Sequence, residues 1–361
     1  MDGLEVKVEL NDILDIYENE VSKNTKNKKK IYNFEKNKIV NIMDIIRIIE
    51  SNNYHIKNYN IFSVDSPKYR IVMSLNIKDK IINHYVARHI LINKLDKYLD
   101  IRNCATRKDM GYDYAIGLVK KYLEHMKIYN NIYVLKLDLS KYFYSINHDI
   151  LKRMLIDKLD KEEYDIVSNI IDSTNEDYIN NIINNMKRRL IIKDSDRVKE
   201  IEKIPIYKKG YGLPIGNMTS QFLSIFYLYK LDHYIVNDLH LKYTIRYMDD
   251  YIIFSNDKEY LKNCYKIIVD KLKNEYDLDI NKKKSMIVHA NKGFEYLGYM
   301  FKIDGKKTII KVRKENNHRR KKNISNNNYL YNNGYIEFKK YFNSMSNYLN
   351  SYKYDKWLYR E

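Results

Sequence analysis

The sequence predicts an α+β fold, and three observations point to it. Two stretches alternate with the period of a strand, "IYVLKLDL" at 132–139 and "YTIRYMDDYIIFS" at 243–255. Apolar residues recur at helical spacing in "IVNIMDIIRII" and "KDKIINHYVARHILINKLDKYL". Shorter strand-like pieces, "DINKKKSMIV" and "KGFEYLGYMF", follow the second alternating stretch. With 361 residues, 44% of them apolar and 13% aromatic, the chain can bury a large core, as one multi-lobed unit or two domains.

Taken in order, "MDGLEVKVELNDILDIYENEV" is acidic and amphipathic, so a short helix is expected and a signal peptide is not. The polar, basic "SKNTKNKKK" that follows reads as a linker, giving a first segment of 1–30. Helical spacing runs from Ile31 to about Ile56. "NIFSVDSPKYRIVM" then alternates around Pro67 as a strand pair. In 78–99 the spacing of Ile82, Val86 and Ile90 predicts a helix with one buried face. On the strand at 132–139, Leu135, Leu137 and Leu139 share one face while Lys136 and Asp138 share the other. A helix capped by Asn147 follows, then a charged, Asn-rich and mainly helical region to about 205. Three of the ten glycines fall within "GYGLPIG", ahead of a strongly apolar helix. After the second alternating stretch come an amphipathic helix near 257–275 and the two short strand pieces. Beyond Asp304 the chain turns basic in "RKENNHRRKK" and ends in a helical stretch.

A surplus of 65 basic over 47 acidic residues, +18, favours polyanionic partners. The abundance of Lys, Asn, Ile and Tyr together also fits an AT-rich coding genome, in which part of the Lys simply solvates surface, so charge supports nucleic-acid binding without deciding it. Cys104 and Cys264 are far apart with no CxxC partner, and the nine His lack metal-ligand spacing. No apolar run approaches membrane-spanning length, so a soluble, cytoplasmic protein is expected.

The adjacent carboxylates Asp249 and Asp250 are the unusual feature. Neighbours on a straight strand face opposite ways and could not share a site. A tight hairpin, with "YTIRY" and "YIIFS" as its arms and Met248, Asp249 and Asp250 as its turn, relieves this. Like carboxylates in contact repel and each loses hydration, a penalty that a divalent cation removes. Asp138, at the end of the other polar-faced strand, would complete an oxygen-rich magnesium site if the two strands lie side by side. Two such ions about 3.5–4 Å apart suit nucleotidyl transfer. Taken alone, an Asp-Asp pair is usually a solvated turn, and Asp138 an N-cap or exposed strand end; their shared context, with a glycine-rich loop between them, favours the site.

"IRYMDDYIIF", preceded in order by "LDLSKYFYSI" and "LPIGNMTSQ", resembles the reverse transcriptase family through nearly the whole chain. The resemblance implies a right-hand polymerase fold: fingers at 31–131 with an insertion at 151–210, a palm of antiparallel sheet plus helices at 132–150 and 211–305, and a short helical thumb at 306–361. It implies Asp138, Asp249 and Asp250 as ligands of two Mg2+, with Mn2+ as a substitute, and Phe143 as an aromatic gate against the ribose 2′-hydroxyl. Lys68 and Arg70 in "PKYRIV" match cations of the fingers strand that meet the incoming triphosphate, and Arg107 and Lys108 are weaker candidates of that kind. Lys284 matches a lysine that protonates pyrophosphate, although three lysines in a row let the assignment slip by one. Ile215, Gly216 and Gln221 fall in the loop over the nascent base pair, and Tyr296, Leu297 and Gly298 in the primer grip. An RNA template, a DNA or RNA primer and dNTPs are the partners implied, with no membrane.

The loop departs from the Gln-Gly and Ser-Pro pattern of many bacterial members. Ile215-Gly216 with Ser220-Gln221 resembles the reverse transcriptases of diversity-generating retroelements, whose cDNA synthesis is mutagenic and which work with a small basic accessory protein. The alternatives are a phage-defence or other retroelement enzyme that copies a non-coding RNA, and a catalytically quiet RNA-binding scaffold.

Overall fold

The structure is a computed structural model that describes residues 8–51, 53–66, 68–305 and 307–351. Residues 1–7, Pro67 and 352–361, which belong to the expected N-terminal segment, strand pair and thumb, lie outside the described residues. The chain is α+β, with helices and three antiparallel sheets, in two compact units.

The first unit comprises the chain up to Thr106, Leu139–Tyr234 and Val269–Ile280. The basic stretch expected as a linker breaks only at 25–27. Lys28, Lys29 and Lys30 instead open the helix Lys28–Glu35, because the Asn27 side chain accepts a hydrogen bond from Lys30 N and supplies the cap. The helix Lys38–Glu50 buries Ile42, Ile45, Ile46 and Ile49, one face at helical spacing. The expected strand pair forms as β1 (Asn60–Val64) and β2 (Arg70–Ser74), in register from Asn60 opposite Ser74 to Val64 opposite Arg70. The next helix starts at Ile77 and runs through a wider π-helical stretch, Val86–Ile92. Asn147 caps the helix His148–Leu155 as expected, accepting from the backbone N–H of Asp149 and Ile150 at 3.0 and 3.2 Å.

The second unit comprises Arg107–Asp138, Ile235–Ile268 and the chain from Asn281. Its four-stranded sheet contains β3 (Tyr133–Asp138), β4 (Thr244–Tyr247), β5 (Asp250–Ser255) and β6 (Met286–His289), in the order β4-β5-β3-β6. The central β3 is antiparallel to both neighbours, and Leu135 lies opposite Ile253 and Ile287. A second sheet joins β7 (Phe294–Tyr296), β8 (Tyr299–Asp304) and β9 (Lys307–Val312). β9 falls where the sequence reading saw only the start of a basic tail; its alternating "KTIIKV" was the missed signal. The helix Tyr112–Met126 was likewise missed. Its Tyr122 meets Tyr243 edge-on at 5.2 Å and Phe254 at 6.3 Å, and Phe254 in turn meets Phe294 at 5.8 Å. Phe294 stacks on Phe301 at 5.3 Å, so one aromatic column ties helix and both sheets together. The helices Lys314–Asn332 and Phe338–Ser351 pair through stacked Tyr331 and Tyr341, 4.7 Å apart.

Leu135 and Ile253 are both fully buried. Replacing Leu135 with Ala leaves a hole in the centre of the sheet and is expected to lower stability by about 2–5 kcal/mol, read from the urea midpoint.

Candidate active site

β3 ends on Asp138, whose partner across the ladder is Asp250, the first residue of β5. Directly opposed residues of an antiparallel pair put their side chains on the same face, so the two carboxylates face each other. The turn is tighter than the sequence suggested. Tyr247 pairs with Asp250, leaving only Met248 and Asp249 between the strands. Met248 takes φ 57°, a conformation that L side chains rarely adopt. Arg246, 1% exposed, donates from Nη1 to the Met248 carbonyl at 3.1 Å and lies over the Tyr251 ring. A buried guanidinium thus ties down the strained residue next to Asp249.

The segment after the long helix Lys258–Tyr276 wraps Asp138 from the other side. Asn281 N donates to the Asp138 carbonyl at 2.7 Å, and Asp138 N donates to Ser285 Oγ at 3.2 Å. The turn closes through Lys284 N to Asn281 O, and Lys284 Nζ reaches Asp138 Oδ1 at 2.6 Å. Of the three consecutive lysines, Lys284 is the one that makes this contact. Burial pushes the Asp250 carboxyl up to about 7, with Asp249 and then Asp138 adding as like charges and Lys284 opposing them. Lys136, on the same face of β3 as Asp138, is pushed down by burial, against the pull of Glu295, Asp250 and Asp138. Among the described residues no group of three or more His, Cys, Asp or Glu side chains is gathered at metal-ligand geometry. The available donors at this end of the sheet are hard carboxylate oxygens in mutual repulsion, a set that fits magnesium or manganese rather than a softer metal.

Also in this unit, Leu297 and Gly298 form the two-residue turn between β7 and β8, at φ 45° and 80°. That pair of positive angles matches the twist of a tight hairpin. The Tyr112 hydroxyl donates to the Leu297 carbonyl, Arg313 N donates to the Gly298 carbonyl at 3.1 Å, and the Arg313 guanidinium pairs with Glu295 at 3.2 Å. Tyr296 is 4% exposed, a core ring beside this turn. Arg107 is half-buried and Lys108 exposed.

The remaining predicted residues lie in the first unit. Phe143 is half-buried on the short helix Tyr142–Ser145, and its carbonyl accepts from Leu213 N at 2.7 Å. Gly212 N donates to the Ile146 carbonyl at 2.8 Å, so the glycine loop is stitched to the Phe143 helix. Ile215 is half-buried, and its carbonyl accepts from Met73 N of β2 at 2.8 Å. Gly216, at φ 120°, is pressed against that strand: a Cβ there would lie 3.0 Å from Val72 Cγ1 and 3.2 Å from the Met73 carbonyl. Its close approach within the chain is to β2. Gln221 is exposed on the helix Met218–Tyr227. Lys68 and Arg70 are exposed at the β1–β2 hairpin, and Tyr69 between them is anchored by its N–H to Glu200 and its hydroxyl to Asp194.

Residues 56–301 match the family model for reverse transcriptase (RNA-dependent DNA polymerase). The chain belongs to the reverse transcriptase family. Its fold is therefore the right-hand polymerase fold. No curated protein matches the sequence. A solved structure similar to this reverse transcriptase is apo telomerase from Candida tropicalis truncated from its C-terminal domain, at 13% identity and a TM-score of 0.47, over 72% of this chain and 55% of that one. This chain thus spans little more than half the length of that telomerase. Among the described residues no helix is long and apolar enough to cross a membrane. Sequence reasoning missed Arg246, Ser285 and Tyr112, whose roles are visible only in contacts. Lys136 was within reach, since alternation had already placed it on the face of Asp138.

Two outcomes test this geometry. A carboxyl whose pKa is higher folded than unfolded holds a proton that the unfolded chain has lost, so its contribution to stability is full below the ordinary carboxylate pKa and drains away as pH rises through about 7. Without added metal, Asp250→Asn is expected to stabilise the protein at pH 8 by on the order of 1–3 kcal/mol, a gain that shrinks toward pH 5 in thermal melts. Gly216→Ala is expected to lose about 1–3 kcal/mol in urea unfolding, because both its backbone angle and its contact with β2 exclude a methyl group.

Proposed function

We propose that the protein is an RNA-directed DNA polymerase that extends a DNA or RNA primer on an RNA template with dNTPs. The observation that carries this is the opposition of Asp138 and Asp250 across β3 and β5, with Asp249 in the adjoining turn, in a chain of the reverse transcriptase family. Asp138, Asp249 and Asp250 would hold two Mg2+, with Mn2+ able to replace them. Bound there, the metal would activate the primer hydroxyl and stabilise the departing pyrophosphate. Lys284, whose ammonium pairs with Asp138, would supply the proton to pyrophosphate. Phe143 blocks the ribose 2′-hydroxyl, Lys68 and Arg70 bind the triphosphate, and Tyr296, Leu297 and Gly298 grip the primer. The division into fingers, palm and thumb given by the sequence belongs to this same reading.

Within that activity, Ile215-Gly216 and Ser220-Gln221 favour a diversity-generating retroelement enzyme making mutagenic cDNA with a small basic accessory protein. An Ile side chain offers no hydrogen bond to a base, which supports low fidelity. A phage-defence enzyme on a non-coding RNA is the alternative, and an even error spectrum in sequenced cDNA would favour it over errors concentrated at template adenines.

Primer extension on an RNA template with dNTPs and Mg2+ tests the main reading. Wild type is expected to extend and Asp249→Ala to lose at least about a thousandfold in rate, roughly 4 kcal/mol of barrier. Equal extension by both, or none by either, leaves the RNA-binding scaffold. Phe143→Ala is expected to raise ribonucleotide incorporation relative to deoxynucleotide by about tenfold or more, equivalent to roughly 1.4 kcal/mol.

A further inference from the structure

A cleft of about 900 Å3 opens within the first unit, lined by residues between Lys30 and Asp79 and apart from every residue assigned a role above. Its floor is apolar, from Phe34, Ile48 and Ile77. Its walls carry amides, among them the exposed Asn33 and Asn58. Its rim is cationic: Lys30 and Lys57 are exposed, and Lys78 joins them while pairing with Asp44 at 3.0 Å. Lys30 also bears as a like charge on half-buried Lys80. The one carboxylate among the lining residues, Asp79, is turned inward, accepting from Tyr54 Oη at 3.0 Å and from Asn76 Nδ2 at 2.5 Å. Lining residues from Lys30 to His55 precede the region matched by the family model, so the cleft is built jointly by the N-terminal helices and the start of the matched domain.

We propose that this cleft binds single-stranded RNA, seating one or two unstacked nucleotides. The chemistry matches part by part. An apolar floor accepts a base out of its stack, asparagine amides offer a donor and an acceptor to its edge, and rim lysines neutralise the flanking phosphates. The volume suits one or two nucleotides and excludes a duplex. A protein ligand fits less well, because the lining is rich in lysine and amide and has one carboxylate already bonded. RNA is preferred to DNA because the proposed template strand is RNA, so this inference rests on the RNA-templated reading.

The test uses the full chain and a fluorescein-labelled single-stranded RNA, titrated over a range of salt. A variant carrying Lys30→Gln and Lys57→Gln is expected to bind at least about tenfold more weakly and to show a shallower salt slope, by about one to two. The same variant is expected to extend a pre-annealed primer with a one-nucleotide template overhang at the wild-type rate. In the wild-type protein, RNA carrying 4-thiouridine is expected to cross-link to peptides within 28–58. Unchanged affinity and slope in the variant, or cross-links absent from that segment, would overturn the proposal. So would displacement of the RNA by millimolar ATP, which would mark a mononucleotide site. Failure of wild-type extension would strike the polymerase reading instead, while the binding comparison would still be read on its own.

Discussion

Two negative charges held face to face on neighbouring strands are the constraint on which the second unit is organised. Asp138 and Asp250 are fixed opposite each other by the register of β3 and β5, and side chains repeat every second residue, so a slip of one place would send one of them to the far face. The register is specified by the apolar residues behind them. Leu135, Leu137, Tyr251 and Ile253 are buried on the opposite face, opposed in pairs across the same two strands. Core packing therefore enforces an arrangement that electrostatics opposes.

The parts around this pair answer the repulsion in different ways. Lys284 is carried to Asp138 by a turn whose backbone and serine bond that aspartate's own main chain, so cation and carboxylate are positioned by one short segment. Arg246 holds the turn itself. A fully buried guanidinium is costly to desolvate, and here one of its bonds goes to the carbonyl of the residue with the strained backbone. The fold thus spends polar burial at the turn and keeps apolar packing along the strands.

Much of this was legible in the sequence, because the relevant signals are local. Alternation in 132–139 and 243–255 gave the strands, and the paired aspartates gave the hairpin. The need for a third carboxylate gave Asp138 and the juxtaposition of β3 with β5. What stayed hidden depends on contacts between distant residues. Nothing local marks Arg246 as buried or Ser285 as a partner of Asp138. The helix Tyr112–Met126 was overlooked because its basic approach drew the reading toward charge, and β9 because a lysine-rich tail masked four alternating residues. Asp250 was placed in the turn because the hairpin closes one residue sooner than the sequence suggests, with Tyr247 already paired to Asp250. Gly216 was recognised for its freedom from a side chain, but its neighbour within the chain, β2, comes from far away in sequence.

That neighbour has a mechanical implication. The hydrogen bond from Met73 to Ile215, together with the bare contact of Gly216 on Val72 and Met73, fastens the loop before the helix Met218–Tyr227 to the β1–β2 hairpin. Lys68 and Arg70 at one end and Gln221 at the other are thereby carried on a single stiff lever. Displacing the hairpin must drag the loop with it, so changes at the two places would show epistasis rather than independent effects.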